Sequence, residues 1–243
     1  MMKRLVCNLL STDYRLPATV YRAAMLAGLA CLLVLTACTA NTVGQPAQAK
    51  TDSALLVAAA SNLQFAFTDL AAQFEQQTGQ PVRLVFGSSG KLTAQIENGA
   101  PFDILASADE SYIDRLASQD LLLPDTRRQY AQGQLALVAN RQAGLAVDTL
   151  DDLLSPAVRR VAIANPEHAP YGTAAMQALQ QAGLWEQLQP KLVLAETVRQ
   201  ALQFVQTGDA TAGIVALSIA DVPEVTAVPL PPTLHQPLHQ AMA

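Results

Sequence analysis

The sequence predicts an α/β protein of two lobes, each a largely parallel sheet flanked by helices. Short, continuously apolar runs such as "ALLVAAA" (Ala54–Ala60) and "AGIVAL" (212–217) read as strands buried on both faces. They alternate with stretches of helical period, as in βαβ units. The alternation resumes after Gly133 with no Pro/Gly/Ser linker, so continuous strands join the lobes.

Taken in order, "ALLVAAA" is the first strand. Leu63, Ala66, Phe67, Leu70 and Phe74 then recur at helical spacing, with Ser61 and Asn62 at the junction and Gly79 placed to close the helix. "PVRLVF" is a second strand, "GSSG" (87–90) follows it, and residues 91–98 look helical. "PFDILAS" supplies a third strand, and "DESYIDRLASQ" a helix with Tyr112, Ile113 and Leu116 on one face. The second lobe opens on "GQLALVAN", continues through a short helix at "TLDDLL" and a strand at "RRVAIANP", and gives a helix from about Thr173. "ETVRQALQFVQTGDA" is amphipathic through Val198, Ala201, Leu202 and Val205, and "AGIVAL" is a buried strand. The stretch "VPEVTAVPLPPTLHQPL" is too proline-rich for a central strand or a helix.

The 243 residues carry a formal net charge of −5 with only 15 Lys+Arg, which lacks the basic footprint of a nucleic-acid binder. Cysteines stand only at Cys7, Cys31 and Cys38, so the folded part has no disulfide framework and no cysteine-built zinc site. Lys3, Arg4, Arg15 and Arg22 precede the apolar run "AAMLAGLACLLVLTAC", which is short for a membrane span and suits a signal-peptide core. Leu35-Thr36-Ala37-Cys38 resembles a bacterial lipobox, which implies lipidation at Cys38; cleavage after the later "AQA" (47–49) is the alternative. The expected organisation is a leader over 1–38, a tether over 39–53, a first lobe over 54–132, a second over 133–221, and a return to the first lobe over 222–243.

"GSSGK" invites three chemistries. A Walker loop fails on spacing, since Val85 stands where its first glycine belongs and Leu92 where its Ser/Thr belongs. Ser88 and Lys91 match the S-x-x-K of penicillin-recognising serine enzymes, but S-D-N, K-T-G and G-x-S-x-G are absent. The histidines, His168, His235 and His239, give little support for a Ser–His pair; Pro237 argues against a metal-binding helix, leaving His235 and His239 as surface residues. The third chemistry is an anion cage. "AAASN" and "FGSSG" place small polar residues where a strand yields to a helix, and there the first N–H groups lack intrahelical partners and favour negative charge. Ser61 and Ser89 each taken alone fit a helix cap. Two such junctions on neighbouring parallel strands open on the same sheet edge, where such sheets bind ligands.

The stretch from "AAASNLQFAF" to "DILASAD", with "ANPEHAPYGTAAMQALQQAGLW", "LVLAETVRQAL" and "GIVALS" following in order, resembles the periplasmic molybdate-binding proteins of molybdate ABC transporters over about Leu55 to His235. The resemblance implies a type II periplasmic-binding fold, a ligand held in the cleft between lobes, no catalysis and no cofactor. The implied ligand is molybdate or tungstate, and the implied partner a permease in the cytoplasmic membrane. It further implies an extracytoplasmic, lipid-tethered monomer. Carried over by motif, Ser61 and Ser89 would donate from the first lobe, and Tyr171 and Val198 through backbone N–H from the second. Ala216 stands where many relatives have a tyrosine; the Tyr171 phenol and the Asn62 amide would then supply donors, unless Tyr171 is a rim residue acting only through its backbone. The chain also stops at "HQPLHQAMA", short of the strand and helix that usually complete the first lobe, which reads either as a truncation or as a member without that cover. Sulfate is the alternative ligand, and a serine hydrolase built on Ser88 and Lys91 the alternative of another class.

Overall fold

The computed structural model describes residues 54–243; the expected leader, tether and Cys38 lie outside the described residues. Strand β1 (Leu55–Ala60) is the centre of the first lobe and pairs in parallel with β2 (Val82–Gly87) and β3 (Ile104–Ser107). Helices α1 (Gln64–Thr78), α2 (Ser89–Glu97) and α3 (Glu110–Ala117) follow these three strands in turn. Two antiparallel strands finish the sheet, β4 (Arg128–Gly133) and β10 (Leu238–Met242), giving the order β2-β1-β3-β10-β4.

Gln134 alone separates β4 from β5 (Leu135–Asn140), which enters the second sheet. That sheet has the order β7-β6-β8-β5-β9, with β6 (Val161–Ala164) parallel to β7 (Leu192–Ala195) and β8 (Ala212–Ala216), and β5 antiparallel to β8 and β9 (Val225–Pro229). Helices α4 (Pro170–Gln181), α5 (Trp185–Leu188) and α6 (Val198–Thr207) accompany it. Both sheets therefore share one plan: three parallel strands extended by two antiparallel ones. The expectation of largely parallel sheets holds for the βαβ part. The antiparallel pairs arise where the chain crosses between lobes and where it turns back to make an edge.

Several expectations shift. α4 starts at Pro170, earlier than Thr173, because proline suits the first helical position, where its missing N–H is not needed. β4 has no counterpart in the sequence reading: "RQYAQG" has no apolar run and forms an edge. β9 keeps residues 225–229 in the second sheet, so the return to the first lobe comes at β10 and not at residue 222. His235 is buried at 9% exposure, with Nδ1 2.7 Å from the Gln236 carbonyl, and His239 lies on β10 against Gln129. His235 is therefore not the surface residue expected, whereas the half-exposed His239 is.

The second sheet is the better buried: every residue of β5, β6 and β8 is inaccessible. α6 buries the four residues its period implies, Val198, Ala201, Leu202 and Val205. α1 behaves differently. It forms where expected and ends at Gly79, whose φ of 73° a side chain would oppose, yet it has no buried residue. Leu70 and Phe74 stay 55% and 42% exposed, because no element among the described residues packs over that face.

Candidate functional site

The C-terminal ends of β1 and β2 and the starts of α4 and α6 meet at a small cavity between the lobes. Ser61, Asn62, Ser89, Tyr171 and Val198 all line it, so the structure brings the five residues singled out in the sequence to one place. No Lys or Arg is among its lining residues.

Ser61 and Asn62 begin the 3-10 turn Ser61–Leu63 that leads from β1 into α1, and Ser89 opens α2. Neither serine caps its helix, which disposes of the alternative reading of both as caps. Ser89 Oγ, fully buried, accepts the Ala108 N–H at 3.0 Å and keeps its own proton to donate. Ser61 Oγ accepts the Arg199 N–H across the lobes at 3.4 Å. Tyr171 is the second residue of α4 and Val198 the first of α6. The Thr197 hydroxyl caps α6 by accepting the Gln200 N–H at 3.1 Å. In the first turn of α4, the Gly172 and Thr173 N–H groups bond the Ala169 carbonyl. None of the hydrogen bonds among the described residues uses the N–H of Ser89, Tyr171 or Val198. At helix starts these groups carry the positive end of the peptide dipoles.

Tyr171 is 2% exposed, so it is no rim residue. Burial pushes its phenol pKa far up, against a smaller opposing effect of the Gln240 hydrogen bond, and burial does the same to Tyr130. Both keep their protons in neutral and mildly alkaline solution. The Tyr171 oxygen accepts from Gln240 Nε2 at 2.9 Å, and Gln240 also contacts Asn62. Gln240 belongs to β10, a strand the sequence reading did not find. Ala216 lies at the end of β8, fully buried and outside the cavity lining.

Beside the cavity the lobes touch directly. Gly90 N–H donates to the His168 carbonyl at 3.0 Å, Ser88 Oγ lies 2.9 Å from His168 Nδ1, and Ser218 Oγ donates to the Asn62 carbonyl at 3.0 Å. Lys91 pairs with Glu196, whose other oxygen is 3.9 Å from His168 Nε2. The Ser88–His168 contact escaped the sequence reading, since the residues stand 80 positions apart. It does not favour the hydrolase, since Lys91 is paired with Glu196 and the Gly90 N–H is already given to the His168 carbonyl. A wider polar groove lined by Gln64, Arg199, Gln203, Gln206, Thr207 and Glu224 lies apart from the candidate residues. Within it Arg199 donates to Gln206 at 2.7 Å and Gln206 to Glu224 at 2.9 Å, while Arg199 Nε is buried without a hydrogen-bond partner among the described residues. The small cavity between the lobes, with its free donors, is the better candidate. Among the described residues no cluster of His, Cys, Asp or Glu is fit to hold a metal ion.

The family of bacterial extracellular solute-binding proteins matches residues 55–243. The chain belongs to that family. Like other solute-binding proteins of two lobes, it has the type II periplasmic-binding fold. It is similar to the molybdate-binding protein ModA of Azotobacter vinelandii, at 41% identity over 67% of this chain and 64% of that protein. The ModA of Rhodobacter capsulatus is 37% identical over 68% of this chain and 64% of its own length. This solute-binding protein thus spans just under two thirds of the curated relatives it matches. The solved structure of the periplasmic molybdate-binding protein of Azotobacter vinelandii superposes with a TM-score of 0.72 at 37% identity, covering 78% of this chain and 84% of that one.

Proposed function

We propose that this protein binds molybdate or tungstate outside the cytoplasm and delivers it to the permease of an ABC transporter in the cytoplasmic membrane. The observation that carries the reading is the donor set. Two serine hydroxyls and the free N–H groups of Ser89, Tyr171 and Val198 converge on a buried cavity lined by no cationic side chain. A buried dianion needs its hydration replaced by hydrogen bonds, and neutral donors at helix N-termini supply them. Molybdate and tungstate carry no proton at neutral pH, so a cage of donors suits them, whereas a protonated phosphate also asks for an acceptor. The similarity to molybdate-binding proteins supports the same ligand.

The protein itself contributes recognition and closure and needs no cofactor. Ser61, Asn62 and Ser89 hold the anion from the first lobe, Tyr171 and Val198 from the second, so a bound anion favours the closed arrangement. The chain acts as a monomer, with a lipid on Cys38 keeping it at the membrane.

Calorimetric titration of the protein with molybdate, tungstate, sulfate and phosphate tests the reading. One-to-one binding of the first two, with sulfate and phosphate silent, is expected. Preference for sulfate would reassign the ligand. Failure of every oxyanion to bind a folded sample would end the receptor reading, and turnover of an ester with covalent labelling of Ser88 would replace it with the hydrolase.

A further inference from the structure

Four side chains meet beside the cavity, one from each of four elements: Asn62 after β1, Tyr130 on β4, Tyr171 on α4 and Gln240 on β10. Gln240 is 3% exposed and sits where the β10–β4 register shifts, between Gln240 and Ala241, an irregularity that re-aims a side chain. Asn62 Nδ2 donates to Gln240 Oε1 at 3.1 Å, Gln240 Nε2 donates to the Tyr171 oxygen at 2.9 Å, and the Tyr130 hydroxyl lies 3.1 Å from Gln240 Oε1 and 2.9 Å from the Ser107 carbonyl.

This register leaves two faults. Tyr130 has one proton for two acceptors. Asn62 Oδ1 is buried with no partner, an acceptor on a residue that lines a cavity otherwise furnished with donors. A half-turn of both amides moves no heavy atom appreciably, removes the first fault and exchanges the orphan Asn62 oxygen for an orphan donor. Gln240 Nε2 then donates to Asn62 Oδ1 and to the Tyr130 oxygen, Tyr130 gives its proton to Ser107, and Gln240 Oε1 accepts from Tyr171. The group left over is now the Asn62 NH2, a donor. The two amides are coupled, because Gln240 has one oxygen and one nitrogen to share between Asn62 and Tyr171.

We infer that Gln240 is a specificity-determining positioning residue: its amide orientation sets whether Asn62 turns an acceptor or a donor to the cavity, and a proton-free oxyanion is held in the second register. The inference rests on the anion-binding reading and deepens it. The first register, with an Asn62 oxygen and an uncommitted Tyr171 proton, suits an oxyanion that retains a proton, such as hydrogen phosphate. Choice of register is thereby choice of ligand class.

The test combines calorimetry with side-chain amide NMR of the protein, using molybdate as probe. On adding molybdate, nuclear Overhauser contacts of the Gln240 NH2 protons are expected to move from the Tyr171 ring to the Tyr130 ring. A carboxylate only accepts, so Gln240→Glu forces Asn62 into the first register; it should weaken molybdate binding by about 30-fold, the worth of one hydrogen bond to a charged group. In an Asn62→Leu background only the added charge remains, and the same change should cost no more than about threefold. Equal losses from Gln240→Glu in the two backgrounds, or tight binding with unmoved amide contacts, would overturn the role of Gln240 while leaving the receptor standing. Failure of the parent protein to bind any oxyanion would overturn both.

Discussion

Ser89 shows at the scale of one residue why a hydroxyl in this cavity differs from a cap. Its oxygen is committed to the Ala108 N–H and its proton is not, so it can only donate toward the cavity. Ser89→Ala removes one donor to a buried charge and strands the Ala108 N–H; molybdate affinity should fall by about 10-fold to 100-fold in a calorimetric titration. Tyr171 and Tyr130 make the corresponding prediction with pH. Burial, the larger cause in both, raises their pKa above the ordinary 10.0, so the folded state holds protons that the unfolded chain releases. The stability this confers is complete below that value and is lost as pH rises through the folded values. Thermal midpoints should therefore begin to decline near the ordinary tyrosine value of 10.0 and keep falling as pH rises above it, and Tyr171→Phe should flatten the decline. The sequence drew attention to Ser89 through its place at a helix start and to Tyr171 through the resemblance to the molybdate-binding family. It offered no signal for Gln240, which lies in a strand without apolar alternation and matters only through contacts with Asn62, Tyr130 and Tyr171.

The elements divide by where their stability originates. α6 is legible because its period, its Thr197 cap and the glycine at 208 that closes it agree with the face it buries. Thr197→Ala removes the cap that fixes the first turn, so it should cost about 1 kcal/mol of stability and also loosen the Val198 N–H, lowering anion affinity. A denaturation curve read beside a titration separates the two effects. α1 is the counter-case. Its apolar residues recur at helical spacing and the helix forms, but the face they make is left exposed, so periodicity announced a helix without announcing its cover. Leu70→Gln and Phe74→Gln should each change stability by no more than about 0.5 kcal/mol, as surface substitutions do, where the same change at Leu202 in α6 would unfold the lobe. β4, β9 and β10 were hidden for a related reason. Edge and return strands bury one face at most, and the prolines that mark 222–238 as irregular are tolerated at an edge.

For the whole molecule the governing quantity is the equilibrium between open and closed lobes. The described arrangement is closed, with contacts beside the anion cavity that hold it so: Gly90 to His168, Ser88 to His168 and Lys91 to Glu196. Gly90 permits the closest of these approaches. A Cβ there would lie 2.7 Å from the His168 carbonyl oxygen and 3.1 Å from its Cα, both backbone atoms that cannot turn aside. Gly90→Ala should therefore hold the lobes apart. A tenfold loss of molybdate affinity, about 1.4 kcal/mol of lost closure, is expected. Small-angle scattering of the molybdate-bound variant should give a larger radius of gyration than the parent. An unchanged radius with weakened binding would locate the effect in the cavity and not in closure.

The sequence by itself determined the βαβ order and the two strand-to-helix junctions with their small polar residues, Ser61 and Ser89 among them, whereas Tyr171 and Val198 entered through the resemblance to the molybdate-binding family. The order and the junctions are local matters, set by hydrophobic period and by the chemistry of helix starts, and local physics leaves them in the sequence. Only the tertiary structure decided which strands complete each sheet, that His168 faces Ser88 across the lobes, and that β10 delivers Gln240 to Asn62 and Tyr171. Those pairings join residues 69 to 178 positions apart, where no period extends and where burial, closure and the matching of single donors to single acceptors select the partner.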